Sequence, residues 1–363
     1  MKEVAIYIFY LLGFGLFIYS SKFFQLSFIS KKYVLGLFFA TCGIAFFSIY
    51  AHIHIFPPAS DIHSFHLDAL IINLYLKKDL SQYLDLLLRS GGANIPNHLA
   101  EPIYSMGHWG NISNYFIVRI YALIIYLSSP NLYVISLFFG MMSFMGKFLM
   151  FKFFQQRIQS KANLIALLLL CFLIPNESFW TASMHKETLL LSVGIALYGL
   201  SKENLFGFIT MTIGLMMMVY ARDVYLWAFL IGLFVHYLIN YTELRLRQIV
   251  LLAIVLILIL LILPLHLDRS LLTILIKKKQ EFALLKNANS SLEILHFLQA
   301  PIHAIYNTLL NGFIQPTIFK VRSMYDLVIS IENLLGFFVL LLYIYMIPFK
   351  NSVKNAGIFL FHL

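Results

Sequence analysis

Long apolar segments that lack charged residues are the feature that most limits how this chain can fold. A helix needs about 20 mostly apolar residues to cross the hydrocarbon core of a bilayer. Only 12% of the residues are charged, against about a quarter in soluble domains, so the segments have little polar surface to face water. They lie at 4–20, 33–51, 131–150, 163–176, 187–200, 205–221, 223–240, 248–266 and 328–348, with a further partial segment from 356. The sequence predicts an all-α, polytopic transmembrane helical bundle of about ten spans, in a single domain over 1–363.

Basic residues between the segments predict which side of the membrane each loop occupies. Lysine and arginine favour cytoplasmic loops. They gather after alternate segments, at Lys22, Lys31, Lys32, Lys147, Lys152, Arg157, Lys161, Lys202, Arg245, Arg247, Lys350 and Lys354. This pattern places the N-terminus outside, with three outer loops at 52–130, 176–187 and 267–327. Lys277–Lys279 lie in the loop 267–327, which this pattern places outside, but the preference of basic residues for cytoplasmic loops weakens in long loops.

The first outer loop is expected to carry amphipathic helices on the membrane surface. Pro57-Pro58 ends the preceding helix, and Ser60 or Asp61 can cap a new one that runs to about Arg89. The apolar segment 114–129 is short and contains Arg119, so we expect it to lie in the interface or to re-enter. The alternative is that it crosses, which would require a further span within 62–80.

Chemically capable side chains gather in the second outer loop and at a later turn. Glu177, Trp180, His185, Lys186 and Glu187 follow one another closely between apolar segments. Such an insert is costly in a membrane unless it lines an aqueous cavity. In the turn Arg222-Asp223, the planar guanidinium suits a phosphate.

Simpler interpretations stay open for several of these residues. Asp61 can be a helix cap, and Arg222 can pair with Asp223 or extend to the interface. His63 and His66 have the i, i+3 spacing of a metal pair, but no third ligand follows at a recognisable spacing, so we expect no metal or other cofactor. The net charge of +10 is explained by topology and anionic lipid, and no nucleic-acid partner is expected.

The overall plan resembles the GT-C superfamily of membrane glycosyltransferases. Those enzymes have a large first outer loop with surface helices and an acidic residue soon after the preceding span, a position that Asp61, followed by Phe65-His66, matches. The stretch Phe179–Glu187 is similar to an FWSSG-x-x-KE segment of bacterial membrane proteins of polysaccharide biosynthesis. Gln315-Pro316 and Ile331-Glu332-Asn333 resemble a second segment of that group, with Gln315 where arginine is usual.

The resemblance implies a hexosyltransferase-type enzyme in a bacterial cytoplasmic membrane, with its active face on the outer side. Its partners would be a polyprenyl-phosphate-linked sugar donor, a saccharide acceptor and membrane lipid. The implied roles are catalytic for Asp61, with Glu187 or Glu177 in reserve, phosphate-binding for Lys186 and Arg222, sugar-binding for Trp180 and Trp109, and substrate-binding for His185 and His66.

Three other classes compete with this interpretation. A polymerase of O-antigen or capsule repeat units uses a similar carrier, but depends on arginine-rich outer loops, and here only Arg222, Arg269 and Arg322 qualify. A transporter of lipid-linked saccharides would show inverted repeats, broken helices or charges in mid-membrane. A membrane protein without enzymatic activity is the third alternative.

Overall fold

The computed structural model describes most of the first 221 residues and a few positions beyond them. The described residues are 2–55, 61–89, 91, 95–156, 158, 160–173, 175–185, 190–202, 204–221, 226, 229–230, 232–234, 330 and 334. The chain divides into two compact units, Met1–Trp227 and Ala228–Leu363. The helices named below all belong to the first unit.

The described residues form an all-α structure, as the sequence predicts. The α-helices in chain order are α1 Lys2–Ser20, α2 Lys31–His54, α3 Asp61–Lys78, α4 Leu80–Leu88, α5 Ala100–Tyr104, α6 Ile112–Leu127, α7 Leu132–Gln155, α8 Lys161–Leu173, α9 Pro175–Ala182, α10 Leu190–Leu200 and α11 Leu205–Ala221. Short 3-10 helices cover Lys22–Phe24 and Asn97–Leu99.

Three of these helices are long and apolar enough to cross a membrane. They are α1, α2 and α7, and they correspond to the predicted segments 4–20, 33–51 and 131–150. They indicate a membrane protein. The helices α6, α8, α10 and α11 are apolar but have only 10–17 residues. Of the ten predicted spans, those at 223–240, 248–266 and 328–348 lie almost wholly outside the described residues.

Helix α7 is the centre of the described bundle and packs against α1, α2, α8, α9 and α10. Small residues permit the closest of these contacts, because they let two helix backbones approach each other. A Cβ atom built on Gly194 of α10 would lie 2.4 Å from the carbonyl oxygen of Gly146 in α7. One built on Gly140 would lie 3.1 Å from the Cβ of Ala45 in α2. Glycine is therefore required where α7 and α10 cross.

Contacts between the helices show which helix ends lie together. The Ser129 hydroxyl donates a hydrogen bond to the Glu3 carboxylate, and the rings of Phe46 and Tyr133 are 4.8 Å apart. The start of α1, the end of α2 and the start of α7 thus share one end of the bundle. We call it the polar end, because the polar residues of the two outer loops that the structure describes lie there.

The opposite end collects basic residues. The ammonium of Lys152 lies 5.7 Å from the centre of the Phe23 ring, and that ring is 5.8 Å from Tyr198. The ends of α1, α7 and α10, at or just beyond which Lys22, Lys152 and Lys202 lie, therefore meet at this basic end. The described loops therefore fall into two groups, one at each end of the bundle, and the side of the membrane that each end faces stays a prediction.

The segment predicted as one amphipathic helix from Asp61 to Arg89 forms two helices. Asp79 separates them, because its carboxylate accepts hydrogen bonds from the backbone N–H groups of Ser81 and Gln82, at 2.9 and 3.2 Å. This N-cap starts α4 in a new direction. Helix α4 exposes Leu80, Leu84 and Leu88 in a row, and such a row suits contact with lipid at the membrane surface.

Helix α6, which contains the predicted interfacial segment 114–129, packs on α3 through polar as well as apolar contacts. The side-chain amide of Asn73 donates to the carbonyl of Ala122, at 3.0 Å. Arg119 donates to the carbonyls of Leu87 and Leu88, at 3.3 and 3.4 Å, and so caps the end of α4. The arginine that interrupts the apolar segment is therefore used to bind α4.

A methyl group at the crossing of α7 and α10 should destabilise the fold. We expect Gly194→Ala to lower the free energy of unfolding by about 1–3 kcal/mol, since the added atom overlaps the backbone of α7. The control is Gly43→Ala in α2, where the structure describes no atom within 4 Å of a built Cβ. Thermal unfolding in detergent should show the control to be neutral or stabilised, and equal midpoints would contradict the packing argument.

Candidate functional site

Two histidines meet where the end of α2 approaches the segment that follows α9. The Nδ1 atom of His52 lies 2.8 Å from the carbonyl oxygen of Ser48, so Nδ1 carries the hydrogen and donates it. In a neutral ring Nε2 then accepts, and His185 donates to it from its own Nε2, at 3.1 Å. The backbone of α2 therefore fixes the tautomer of His52, and His52 orients His185.

Aromatic rings of α9 surround this histidine pair. The Phe179 ring stacks on His52 with centroids 6.2 Å apart, and the half-buried Trp180 ring lies 5.7 Å from His185. Helix α9 begins with Pro175, whose fixed φ suits the first position of a helix. The structure thus brings together Trp180 and His185, both predicted to bind substrate. We call His52, Phe179, Trp180 and His185 the histidine–tryptophan cluster.

The first turn of α3 faces the same region. Asp61 is the first residue of α3, is exposed, and lies within electrostatic range of the Tyr121 hydroxyl. That hydroxyl donates to the carbonyl of Met184, at 2.7 Å, next to His185. His63 is within electrostatic range of both His52 and His66. The carboxylate predicted to be catalytic therefore lies near the histidine–tryptophan cluster.

His66, the third predicted substrate-binding residue of this region, is half-buried in α3. Its Nδ1 atom is buried and has no hydrogen-bond partner among the residues that the structure describes. Burial, and secondarily the proximity of His63, lowers the pKa of His66. Low-polarity surroundings disfavour the charged ring, so His66 is neutral in the folded protein at neutral pH.

Trp109 lies away from open surface, although the sequence predicts that it binds a sugar. Its ring is buried in the core between α3 and α6, with its centroid 4.8 Å from that of Tyr115. Its indole Nε1 has no hydrogen-bond partner in the described part of the chain. The Trp109 ring is therefore part of the hydrophobic core, although the residue lies in the segment between α5 and α6.

Next to Trp109 is a pair that the sequence analysis does not connect. The buried Asp68 carboxylate accepts hydrogen bonds from the backbone N–H of Gly107, at 3.0 Å, and of His108, at 2.9 Å. It also accepts one from Nδ1 of the His108 ring, at 2.9 Å. Asp68 lies seven residues after Asp61, so both are on one face of α3, but this spacing does not indicate His108 as the partner of Asp68.

A polar contact also lies inside the bundle, on a helix long enough to span. Lys147 of α7 is only 1% exposed, and its ammonium donates to the Ser178 hydroxyl, at 2.9 Å. Ser178 donates to the carbonyl of Phe172, at 2.8 Å. The sequence predicts Lys147 in a cytoplasmic basic cluster after the span 131–150; in the structure its side chain is instead buried within the bundle and turns toward α9.

The remaining predicted site residues cannot be placed in the same way. Lys186, Glu187 and Arg222 lie outside the described residues, and for Glu177 the structure describes the backbone of α9 but not the side chain. Their roles stay predictions. Among the described residues, no three His, Cys, Asp or Glu side chains are arranged to share a metal ion.

Comparison with protein-family models, with curated proteins and with solved structures finds no match to this chain.

The lowered pKa of His66 predicts a stability that depends on pH. Below the ordinary histidine pKa of about 6.5 the unfolded chain takes up a proton that the folded protein resists, so acidification lowers the free energy of unfolding. We expect the thermal midpoint in detergent to fall between pH 7.5 and 5.5, and to fall less in His66→Gln. At pH 7.5 and 8.5 neither the folded nor the unfolded protein takes up this proton. The difference in thermal midpoint between the variant and the parent should therefore be the same at both pH values. An equal acid-induced drop in both proteins would refute this role of His66.

Proposed function

We propose that this protein is a membrane glycosyltransferase that acts on a polyprenyl-phosphate-linked sugar at the polar end of the bundle. The observation that supports the proposal best is the contact of Trp180 and His185 with His52, which comes from a segment more than 100 residues away. Asp61 lies within electrostatic range of the Tyr121 hydroxyl, which binds the carbonyl of Met184 next to His185. An exposed carboxylate, an indole ring and an oriented imidazole are the groups that a sugar requires for recognition and proton transfer.

The depth of the cluster suits a lipid-linked substrate. Helix α2 has 24 residues, which corresponds to about 36 Å, slightly more than the hydrocarbon core of about 30 Å. His52 lies in its last turn and so comes close to the level of the lipid headgroups. A polyprenyl phosphate holds its phosphate at this level and its sugar in the adjoining water.

The charge distribution favours an outer location for this chemistry. Lys22, Lys152 and Lys202 lie at the basic end, and a cytoplasmic basic end leaves the histidine–tryptophan cluster facing outward. The proposed location is therefore a bacterial cytoplasmic membrane with the active face outside. Lys186 and Arg222 are the proposed phosphate-binding residues, and the acceptor is a saccharide whose hydroxyl attacks the sugar as the lipid phosphate leaves.

Substitutions at the polar end test the proposal directly. In cells whose own copy of the gene is deleted, Asp61→Asn and Trp180→Ala should each reduce the extended lipid-linked saccharide at least tenfold, since they remove a hydrogen-bonding carboxylate and a stacking surface. The precursor saccharide should accumulate, as measured by mass spectrometry of extracted lipids. The matched control is Asp79→Asn, because asparagine caps a helix as well as aspartate does.

Two outcomes separate this proposal from its rivals. An unchanged saccharide profile in both variants, with protein present in the membrane at parental amounts, excludes glycosyl transfer at this site. Accumulation of single repeat units with loss of polymer identifies the O-antigen or capsule polymerase class instead.

The buried lysine favours a second candidate function, transport of a lipid-linked saccharide. Ionisable residues inside a span commonly mark a substrate or proton path. Lys147 contacts α9, which begins at Pro175 directly after α8 ends at Leu173. Such an interruption between short helices is a feature of transporter binding sites.

Lys147→Met separates transport from glycosyl transfer. If the protein is a transporter, we expect the variant to contain the complete lipid-linked saccharide but to expose several-fold less of it on the outer surface. An impermeant glycosidase or oxidant added to intact cells measures the exposed fraction. The control is Lys161→Met at the exposed start of α8. Normal exposure in Lys147→Met at normal protein amounts would remove the support for transport.

A further inference from the structure

The contacts of Asp68 hold the His108 ring in one orientation. Two backbone N–H groups, from Gly107 and His108, fix the carboxylate of Asp68, and the carboxylate in turn accepts a hydrogen bond from Nδ1 of His108. The Phe65 ring packs against the imidazole with centroids 4.7 Å apart. Rotation of the His108 ring would break a charge-assisted hydrogen bond and this packing contact.

This arrangement determines which nitrogen of His108 is available for chemistry. Because Nδ1 donates to Asp68, the neutral ring carries its lone pair on Nε2. Nε2 lies on the side of the ring away from Asp68, and a proton accepted there produces an imidazolium that the carboxylate stabilises. An aspartate that orients a histidine in this manner is the general arrangement for a histidine base.

The surroundings of His108 differ from those of a purely structural pair. Its side chain is 13% exposed, and the flanking Gly107 is exposed, with no described atom within 4 Å of a built Cβ. In a second pair, Nε2 of His98 lies 2.7 Å from a carboxylate oxygen of Asp85. There the histidine side chain is 56% exposed, and Arg89 also binds the carboxylate. The Asp68–His108 pair is therefore shielded by protein yet reachable from one side.

We propose that His108, positioned by Asp68, is the catalytic base of the glycosyl transfer proposed above, on which this inference rests. Nε2 of His108 takes the proton of the acceptor hydroxyl while the hydroxyl oxygen bonds to the anomeric carbon of the sugar. The bond from that carbon to the phosphate oxygen breaks, and its electron pair leaves with the polyprenyl phosphate. The imidazolium then returns its proton to water or to the released phosphate.

This assignment gives Asp61 a different role from the one that the resemblance implies. Asp61 and Asp68 are seven residues apart on α3, which corresponds to about 10 Å along the helix axis. Groups at that separation do not contact the same hydroxyl. Asp61, near the histidine–tryptophan cluster, therefore binds a sugar hydroxyl, and proton transfer belongs to His108.

The test uses membranes that contain the full chain, with endogenous lipid-linked saccharides as donor and acceptor, over pH 5.5–8.5. We expect His108→Gln to reduce product formation at least tenfold and to remove the loss of activity that acid causes in the parent. Asp68→Asn should also change the pH profile of product formation, because the His108 ring then loses the carboxylate that orients it. Imidazole should partly restore His108→Ala, and Gly107→Phe should inhibit by blocking access.

Controls and outcomes separate the inference from the proposed function. His98→Gln and Asp85→Asn alter the exposed pair and should leave the pH profile unchanged. If Asp61→Asn is inactive while His108→Gln keeps parental activity, the glycosyl transfer stands and the assignment of the base is wrong. The assignment also fails under a second combination of results. In it, His108→Ala is inactive and is not restored by imidazole, while Asp68→Asn keeps the parental pH profile of product formation. If Asp61→Asn, Trp180→Ala and His108→Gln all show parental activity, the proposed function itself fails.

Discussion

Polar groups inside a membrane bundle must find their partners within the protein, because hydrocarbon offers none, and the described structure depends on this constraint. The close approach of α7 to α2 and α10 is made possible by Gly140 and Gly146, and within this packing the Lys147 residue is only 1% exposed. The lysine binds Ser178, and Ser178 binds the carbonyl of Phe172. Helix packing therefore decides where the polar side chains go, and with them the position of α9.

Helix α9 is held from two directions by polar contacts. Ser178 and Thr181 face α7, where they bind Lys147 and Ser143, and the aromatic residues that alternate with them face His52 on α2. Both neighbours are helices long and apolar enough to cross a membrane, and these contacts fix the position of α9 between them. This explains how a short polar helix can hold Trp180, and the segment with His185 that follows it, in a definite position beside His52.

The apolar segments predict the helices, but not the contacts that build the site. The limits of α11 agree with the predicted segment 205–221, because apolar periodicity is a local property. The Asp68–His108 and Lys147–Ser178 contacts join residues 40 and 31 positions apart. A pattern along one chain does not reveal which distant group will satisfy a buried charge. For the same reason, the sequence groups Lys147 with the basic residues that follow the span and does not reveal its contact with Ser178.

Helix α3 connects the two chemical regions of the polar end. Its first turn brings Asp61 and His63 to the histidine–tryptophan cluster, and two turns later Asp68 fixes the loop that carries His108. The contact from Asn73 to Ala122 then ties α3 to α6. Any displacement of α3 would move both regions together, so their separation is set by one rigid helix. A sugar bound near Asp61 and a hydroxyl held at His108 would thus keep a constant distance, which is the requirement for transfer between two bound substrates.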